Sequence, residues 1–239
     1  MKEVSPQCIK IGVVEGEEGL LEISISKAKK WQSCQKAFAY RYNDKLRPKK
    51  KATALRRGTW VHSCLEQRAL GNDWVKVIKD LKAQEYDKLF LEEKVELGDL
   101  PTEVFRMMRA YHQTYLKVDA EYETVRAEQD FMIRVPGTKI VLVGKIDAII
   151  RHRVSRKVWI VEHKTVGKDI PSEDYRMSDG QTAVYSWVLE QIAPILGFKP
   201  GDVAGVLMDY IKTKPPTIPD MLKNGTMSRR RISCDRYTY

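Results

Sequence analysis

Residues Leu142 to Thr165 read LVGKIDAIIRHRVSRKVWIVEHKT, two β-branched apolar runs around an Arg- and Ser-containing break. That pattern predicts an antiparallel hairpin with Asp147 on one strand and Glu162 and Lys164 on the other. An acid within an apolar strand is costly unless it is paired or bound to a cation. Two such acids and a lysine in one hairpin restrict the chain to folds that gather charge on a sheet.

A turn at Val154-Ser155 makes the numbers of paired residues sum to 309, and Asp147 and Glu162 satisfy that sum. The two carboxylates then oppose each other, with Cβ atoms roughly 5 Å apart, close enough to share a hard divalent cation. Glu162 and Lys164 point to one face and the side chain of His163 to the other. The main-chain carbonyl of His163 lies between them, within reach of a metal. Val-Ser lacks the Gly or Asn that two-residue turns favour, and a one-residue slip would break the alignment.

The 239 residues can bury a real core, as one domain or one domain with a lobe. No run of about eighteen apolar residues is present, so no membrane span is expected. The first residues lack the apolar core of a secretory signal. Cys8, Cys34, Cys64 and Cys234 are scattered without a C-x-x-C pair, which suits a reducing cytoplasm and argues against disulfides or structural zinc. The net charge of +10 is uneven: residues 1–60 hold 14 Lys or Arg against 6 Asp or Glu, and residues 211–239 hold 7 against 2. The middle of the chain, with the paired acids, comes out at −3. Basic flanks around an acidic centre suit a polyanion gripped at the ends, although a solvated basic surface gives the same tally.

Along the chain, a short lead-in precedes a helix capped by Ser24 or Ser26 and running to about Tyr42. A basic loop spans Leu46 to Lys51. Helices are expected over Ala52–Leu70, Trp74–Glu93 and Pro101–Val118. Alternation then predicts strands over Val125–Val135, Lys139–Arg151 and Lys157–Lys164. A helix capped by Ser178 or Asp179 runs from Gly180 to about Leu196, a strand covers Val203–Ile211, and a Pro-rich, basic tail with Arg229–Arg231 follows. The order suggests an α+β fold, a mixed central sheet with an N-terminal helical lobe. The expected division is a basic helical lobe over 1–120 carrying His62, a core over 121–211 and a tail over 212–239, packed as one compact domain.

Two further segments carry candidate chemistry. His62 and Glu66, four apart, share a helix face, so His62 can supply a nitrogen ligand with Glu66 orienting it. Gly58 would let the helix start approach another backbone. Gln181 and Tyr185 place an amide and a phenol one turn apart, suited to a phosphate or sugar. Each has a plainer reading: an ion pair of Glu162 with Lys164 or Lys145, a polar helix stripe, a half-buried amphipathic helix. His112, His152 and His163 show no ligand spacing and read as structural.

Taken in order, five segments resemble the PD-(D/E)XK nuclease superfamily, in particular its RecB-like exonuclease branch. They are Ser24-Ile-Ser26 with Cys34-Gln-Lys-Ala-Phe38-Ala-Tyr40, then Gly58-x-x-x-His62-x-x-Leu65-Glu66, Gly144-Lys-Ile-Asp147, Glu162-His-Lys164-Thr165, and Gln181-x-x-x-Tyr185. The resemblance implies that His62, Asp147, Glu162 and the carbonyl of His163 hold Mg²⁺ or Mn²⁺. It implies that Lys164 is the catalytic lysine and that Gln181 and Tyr185 contact DNA near the cleaved phosphate. Some relatives hold a [4Fe–4S] cluster on four thiolates. Here only Cys234 lies in the region of the later three, so no cluster is expected. The implied function is a DNA exonuclease of phage or bacterial recombination and repair, working in the cytoplasm (the host's, if phage-encoded); phage members of that branch commonly work beside a single-strand annealing protein. A structure-specific or flap endonuclease with the same site and a non-catalytic DNA-binding module are the rival readings.

Overall fold

The computed structural model describes residues 8–14, 17–48, 52–167, 170–213 and 233–239. The expected basic runs at 49–51 and 229–231 lie outside the described residues. Two short strands, β1 (Ile9–Ile11) and β2 (Leu21–Ile23), lead into helices α1 (Ile25–Ser33) and α2 (Gln35–Phe38), then a π-turn over Ala39–Asn43. Helices α3 (Thr53–Ala69), α4 (Trp74–Leu81), α5 (Leu91–Leu97) and α6 (Leu100–Asp119) follow. Strands β3 (Tyr122–Arg134), β4 (Ile140–His152) and β5 (Val158–Val166) come next, then α7 (Glu173–Ser178), α8 (Gln181–Ile192), β6 (Val203–Lys212) and β7 (Cys234–Thr238). Among the described residues no helix is long and apolar enough to cross a membrane.

The strands form one mixed sheet, ordered β1-β3-β4-β5-β6-β7, with β2 beside β4 off that path. This is the α+β arrangement expected from the order of helical and alternating segments. Period-two alternation sends Val158 and Ile160 of β5, with Val206 and Met208 of β6, against Val188, Leu189 and Ile192 of α8. The intervening residues face α3 and α6, whose Trp60, Val61, Cys64, Leu65, Val104, Met107 and Met108 form the second core. Each fully buried aliphatic side chain contributes about 1.5–3 kcal/mol, so the two cores fix how α3 and α8 sit over opposite faces.

Several local expectations hold. The Ser24 hydroxyl accepts from the Lys27 N–H at 3.2 Å and caps α1. Asp99 caps α6, with Pro101 in its first turn. The Asp179 carboxylate accepts from the Gln181 N–H at 3.1 Å, at the start of α8.

Others change. The helix expected over Trp74–Glu93 breaks into α4, a π-turn over Lys82–Tyr86, and α5. The wider turn lets Glu85 accept from the Trp60 indole at 3.0 Å while the Tyr86 hydroxyl donates to the Gly98 carbonyl at 2.9 Å. The helix expected to reach Tyr42 is interrupted at Cys34, whose backbone is extended. The basic tail contains a strand, β7, antiparallel to β6. Its sequence, CDRYT, carries no apolar alternation; what holds it is a buried ion network.

In that network Arg236 forks onto Asp209, with Nε to Oδ1 at 2.6 Å and Nη2 to Oδ2 at 2.7 Å. It also reaches Asp119 at 2.8 Å, and Asp119 pairs with Arg68 at 2.8 Å. Two arginines thus balance two aspartates, and Asp209 is wholly buried. The Tyr111 hydroxyl gives its one proton to Asp209 at 2.5 Å. His163 Nε2, 3.2 Å from that hydroxyl, is therefore the donor to its oxygen. At the far end of β7 the Tyr239 backbone pairs with Val206. A Cβ on Gly205, whose φ is +142°, would lie 2.0 Å from the Tyr239 carbonyl oxygen, so only glycine fits.

Removing one partner of a buried pair strands the other's charge. Asp209→Ala should therefore lower unfolding stability by about 3–5 kcal/mol, read by circular dichroism in a urea titration; an unchanged midpoint would mean the network adds nothing. Burial pushes the Cys64 and Cys234 thiols up to about 12, whereas Cys34 is exposed. A maleimide should mark Cys34 in native protein but Cys64 and Cys234 only after unfolding, as resolved by peptide mass spectrometry.

Candidate active site

The sheet opens at one place. β4 and β5 pair at Arg151↔Val158, Ile150↔Trp159, Ile149↔Ile160 and Ala148↔Val161, each summing to 309, as the sequence arithmetic requires. The connection is not a two-residue turn. His152 and Lys157 close the hairpin, and Arg156, at φ +61°, supplies the left-handed residue that Val-Ser could not. The ladder stops one pair short of Asp147 and Glu162. Further along β4, residues Ile140 to Leu142 pair instead with β2. The edge of β4 from Val143 to Asp147 is left without a strand partner, between β5 and β2.

Side chains take over the missing ladder bonds. Asp147 Oδ2 accepts from the His163 N–H at 2.7 Å. The Tyr185 hydroxyl donates to the Lys145 carbonyl at 3.1 Å. Gly144 keeps the strand close to the Phe131 ring; a Cβ there would lie 2.7 Å from a ring carbon.

Two clefts meet at this fork. One, of about 530 Å³, is lined by Gly58, His62, Glu66, Glu128, Asp147 and Thr165 among others. The other, of about 420 Å³, is lined by Ser24, Lys29, Glu162, Gln181 and Tyr185 among others. Lys145 and Lys164 border both. Asp147 thus lines one cleft and Glu162 the other, with the Lys145 amine at Glu128 and the Lys164 amine at Glu162.

His62 Nδ1 lies 3.3 Å from Asp147 Oδ1. His62, Glu128 and Asp147 each offer a ligand atom within 4.8 Å of the others. Glu128 was not singled out in the sequence. Its φ of +49° is rare for a residue with a side chain and costs on the order of 1–3 kcal/mol. The neighbouring pairs Ala127↔Ala148 and Gln129↔Ile146 place it across from Asp147. Reading strand register between β3 and β4 would have found that adjacency; the backbone twist that aims the carboxylate leaves no pattern in sequence. Glu66 lines the same cleft one turn beyond His62. Gly58 sits over Thr165, where a Cβ would make an ordinary 3.5 Å contact, so the close approach expected of this glycine does not demand it.

On the other side, Glu162 Oε1 accepts from Lys164 Nζ at 2.5 Å and from the Gln181 amide at 2.6 Å. Glu162 Oε2 is buried without a hydrogen-bond partner. Such an orphan costs about 1–3 kcal/mol, more when charged. Burial, then the nearby Asp147 charge, raises the Glu162 pKa; the same two causes raise that of Glu128. Burial works to raise Asp147 as well, but the His163 and His62 side chains beside it override that and hold the carboxyl far below its usual range. Burial opposes the charged form of His62, and Asp147 overcomes it, raising that imidazole.

The His163 side chain lies on the opposite face from Glu162, as alternation requires, and joins the Tyr111–Asp209 network. Its Nδ1 is 3.3 Å from Asp147 Oδ2 but out of line for a hydrogen bond, so it feels the charge without satisfying it. His112 accepts from Arg68, and His152 accepts from Ser155 in the hairpin loop, both structural contacts.

His62, Glu128 and Asp147 form a donor set that fits a hard divalent cation, and Glu162 Oε2 is a further oxygen buried without a partner. Comparison with curated proteins gives no match. The family description of the PD-(D/E)XK nuclease superfamily matches residues 22–227, which run from within β2 through β6 and include every residue of both clefts. With the forked mixed sheet, that match over most of the length establishes that the chain belongs to the PD-(D/E)XK nuclease superfamily.

Proposed function

We propose that the protein is a metal-dependent DNA exonuclease of the RecB-like branch. The observation that carries this reading is the fork itself. It gathers His62, Glu128 and Asp147 in one cleft and Glu162 and Gln181 in the other, with Lys145 and Lys164 lining both. His62, Asp147, Glu162 and the His163 carbonyl would hold Mg²⁺ or Mn²⁺, and Glu128 joins them. When bound, such a cation draws charge from the scissile phosphate and lowers the pKa of water.

The protein's own groups do the rest. Glu162 holds the Lys164 ammonium in the cleft, where it stabilises charge growing on the phosphate oxygens. Gln181 fixes one Glu162 oxygen and leaves the other free to ligate. Tyr185 braces the Lys145 carbonyl, and with Gln181 forms the cleft wall along which we place the DNA strand. The His163 N–H and the His62 ring keep Asp147 ionised and oriented. The basic flanks supply contacts to phosphates without regard to base. Recombination or repair is the setting this activity fits.

Asp147→Asn and Lys164→Ala should each lower DNA cleavage by at least about 10²–10³-fold without changing the circular dichroism spectrum. Near-normal turnover in either would remove the assignment. EDTA should stop cleavage and Mg²⁺ or Mn²⁺ restore it. Linear duplex should be degraded while covalently closed circles survive; nicked circles would point to an endonuclease, and retarded but intact DNA to a binding module.

Glu128→Gln should weaken Mn²⁺ binding by about 10–100-fold, measured calorimetrically. In metal-free protein the same change should not lower the melting temperature, because burial and the Asp147 charge disfavour the Glu128 carboxylate more than the Lys145 amine favours it. Unaltered Mn²⁺ affinity would make Glu128 a bystander.

A further inference from the structure

Residues Leu21 to Pro48 contain no buried side chain. The segment is an arm fixed at its root. Ile25 packs on the core beside α8, and Lys29 pairs with Asp179 at 2.6 Å, next to Gln181. Ser24, Ser26 and Lys29 line the same cleft as Glu162 and Lys164, so the arm begins at the proposed cleavage site.

Its composition is lopsided. Between Ser24 and Pro48 there are seven Lys or Arg and one acid, Asp44, together with Trp31, Phe38, Tyr40 and Tyr42. Trp31 is 50% exposed and Tyr40 47%. Phe38 contacts the rings of Trp31 and Tyr42 with centroids 5.0 Å away in each case, bracing both. Lys36 lies 5.9 Å from the Tyr40 ring centroid. A single exposed aromatic needs no explanation. Two half-bare rings on a strongly cationic arm that opens from a nuclease cleft do. Another exposed apolar group, Phe90, Leu91 and Val95, lies beside Glu92, Glu93 and Glu96, a charge pattern that repels nucleic acid.

We propose that this arm is a stacking platform for single-stranded DNA. Trp31 and Tyr40 stack unpaired bases, the surrounding Lys and Arg side chains grip the phosphates, and the strand leads along α1 into the cleft. Every base offers a π-face, so the grip is independent of sequence. From Ser24 to Trp31 α1 rises about 10 Å, room for about two or three nucleotides at the 3.4 Å per-strand spacing of DNA. The direction of the strand rests on the nuclease reading above; the binding itself does not.

The test uses the full-length protein in EDTA with a fluorescent oligothymidylate, followed by anisotropy, and a duplex of equal length for comparison. Trp31→Ala and Tyr40→Ala should each weaken oligothymidylate binding about tenfold, with less than a twofold change on duplex. Trp31→Phe, which keeps a ring, should bind like the parent, and it carries the test should Trp31→Ala fail to fold. Hydrolysis of bis(p-nitrophenyl) phosphate with Mn²⁺, which needs no strand, should be unchanged in all three. Unaltered oligothymidylate affinity in Tyr40→Ala and Trp31→Ala overturns the platform, as does an equal loss on duplex, which would make the arm a general phosphate grip. Reduced oligothymidylate binding in a protein that never cleaves the small ester would leave the platform standing and sink the nuclease.

Discussion

The site depends on one local exchange: the Asp147 carboxylate takes the His163 N–H where a ladder partner would otherwise bind. A strand at the centre of a sheet normally pairs along both edges, because each unpaired backbone group buried from water is costly. Here β4 loses a neighbour over five residues, and the Asp147 and Tyr185 side chains satisfy groups exposed at the opening. Asp147 is thereby both a component of the backbone pairing and a candidate ligand. The His163 and His62 side chains beside it hold its pKa down against burial, which favours the second role, since only the ionised form binds a cation strongly.

On the α3 and α6 face, the Tyr111, His163, Asp209 and Arg236 network lies next to the His62 and Asp147 cleft. It joins α6, β5, β6 and β7 through charged bonds in a region that α3 and α6 otherwise fill with apolar side chains. His163 belongs to both systems. Its backbone serves Asp147 and its ring serves Tyr111, so α6 is linked through His163 to the candidate ligand Asp147.

Much of this was legible in the chain. Period-two alternation located β3 to β6, and a turn assumed at Val154-Ser155 led to the sum of 309 that the β4–β5 pairs keep, although a different loop closes the hairpin. The loop type was not legible, since a left-handed arginine is an exception to turn preferences. Glu128 escaped because a strained φ aims it. β7 escaped because its stability comes from Arg236 and Asp209, 27 residues apart, rather than from its own composition. The split of Asp147 and Glu162 between two clefts arises from the ending of a ladder, which pattern arithmetic does not foresee.

Placing the opening inside the sheet has a consequence for how the protein behaves in a crowded solution. An exposed outer strand invites another chain to add to it, with the risk of aggregation. The bare stretch of β4 is flanked by β2 at one end and β5 at the other, and overhung by α3 and α8, so a full-length foreign strand has no room to dock. The protein can keep polar backbone available for a substrate without offering a seed for self-association.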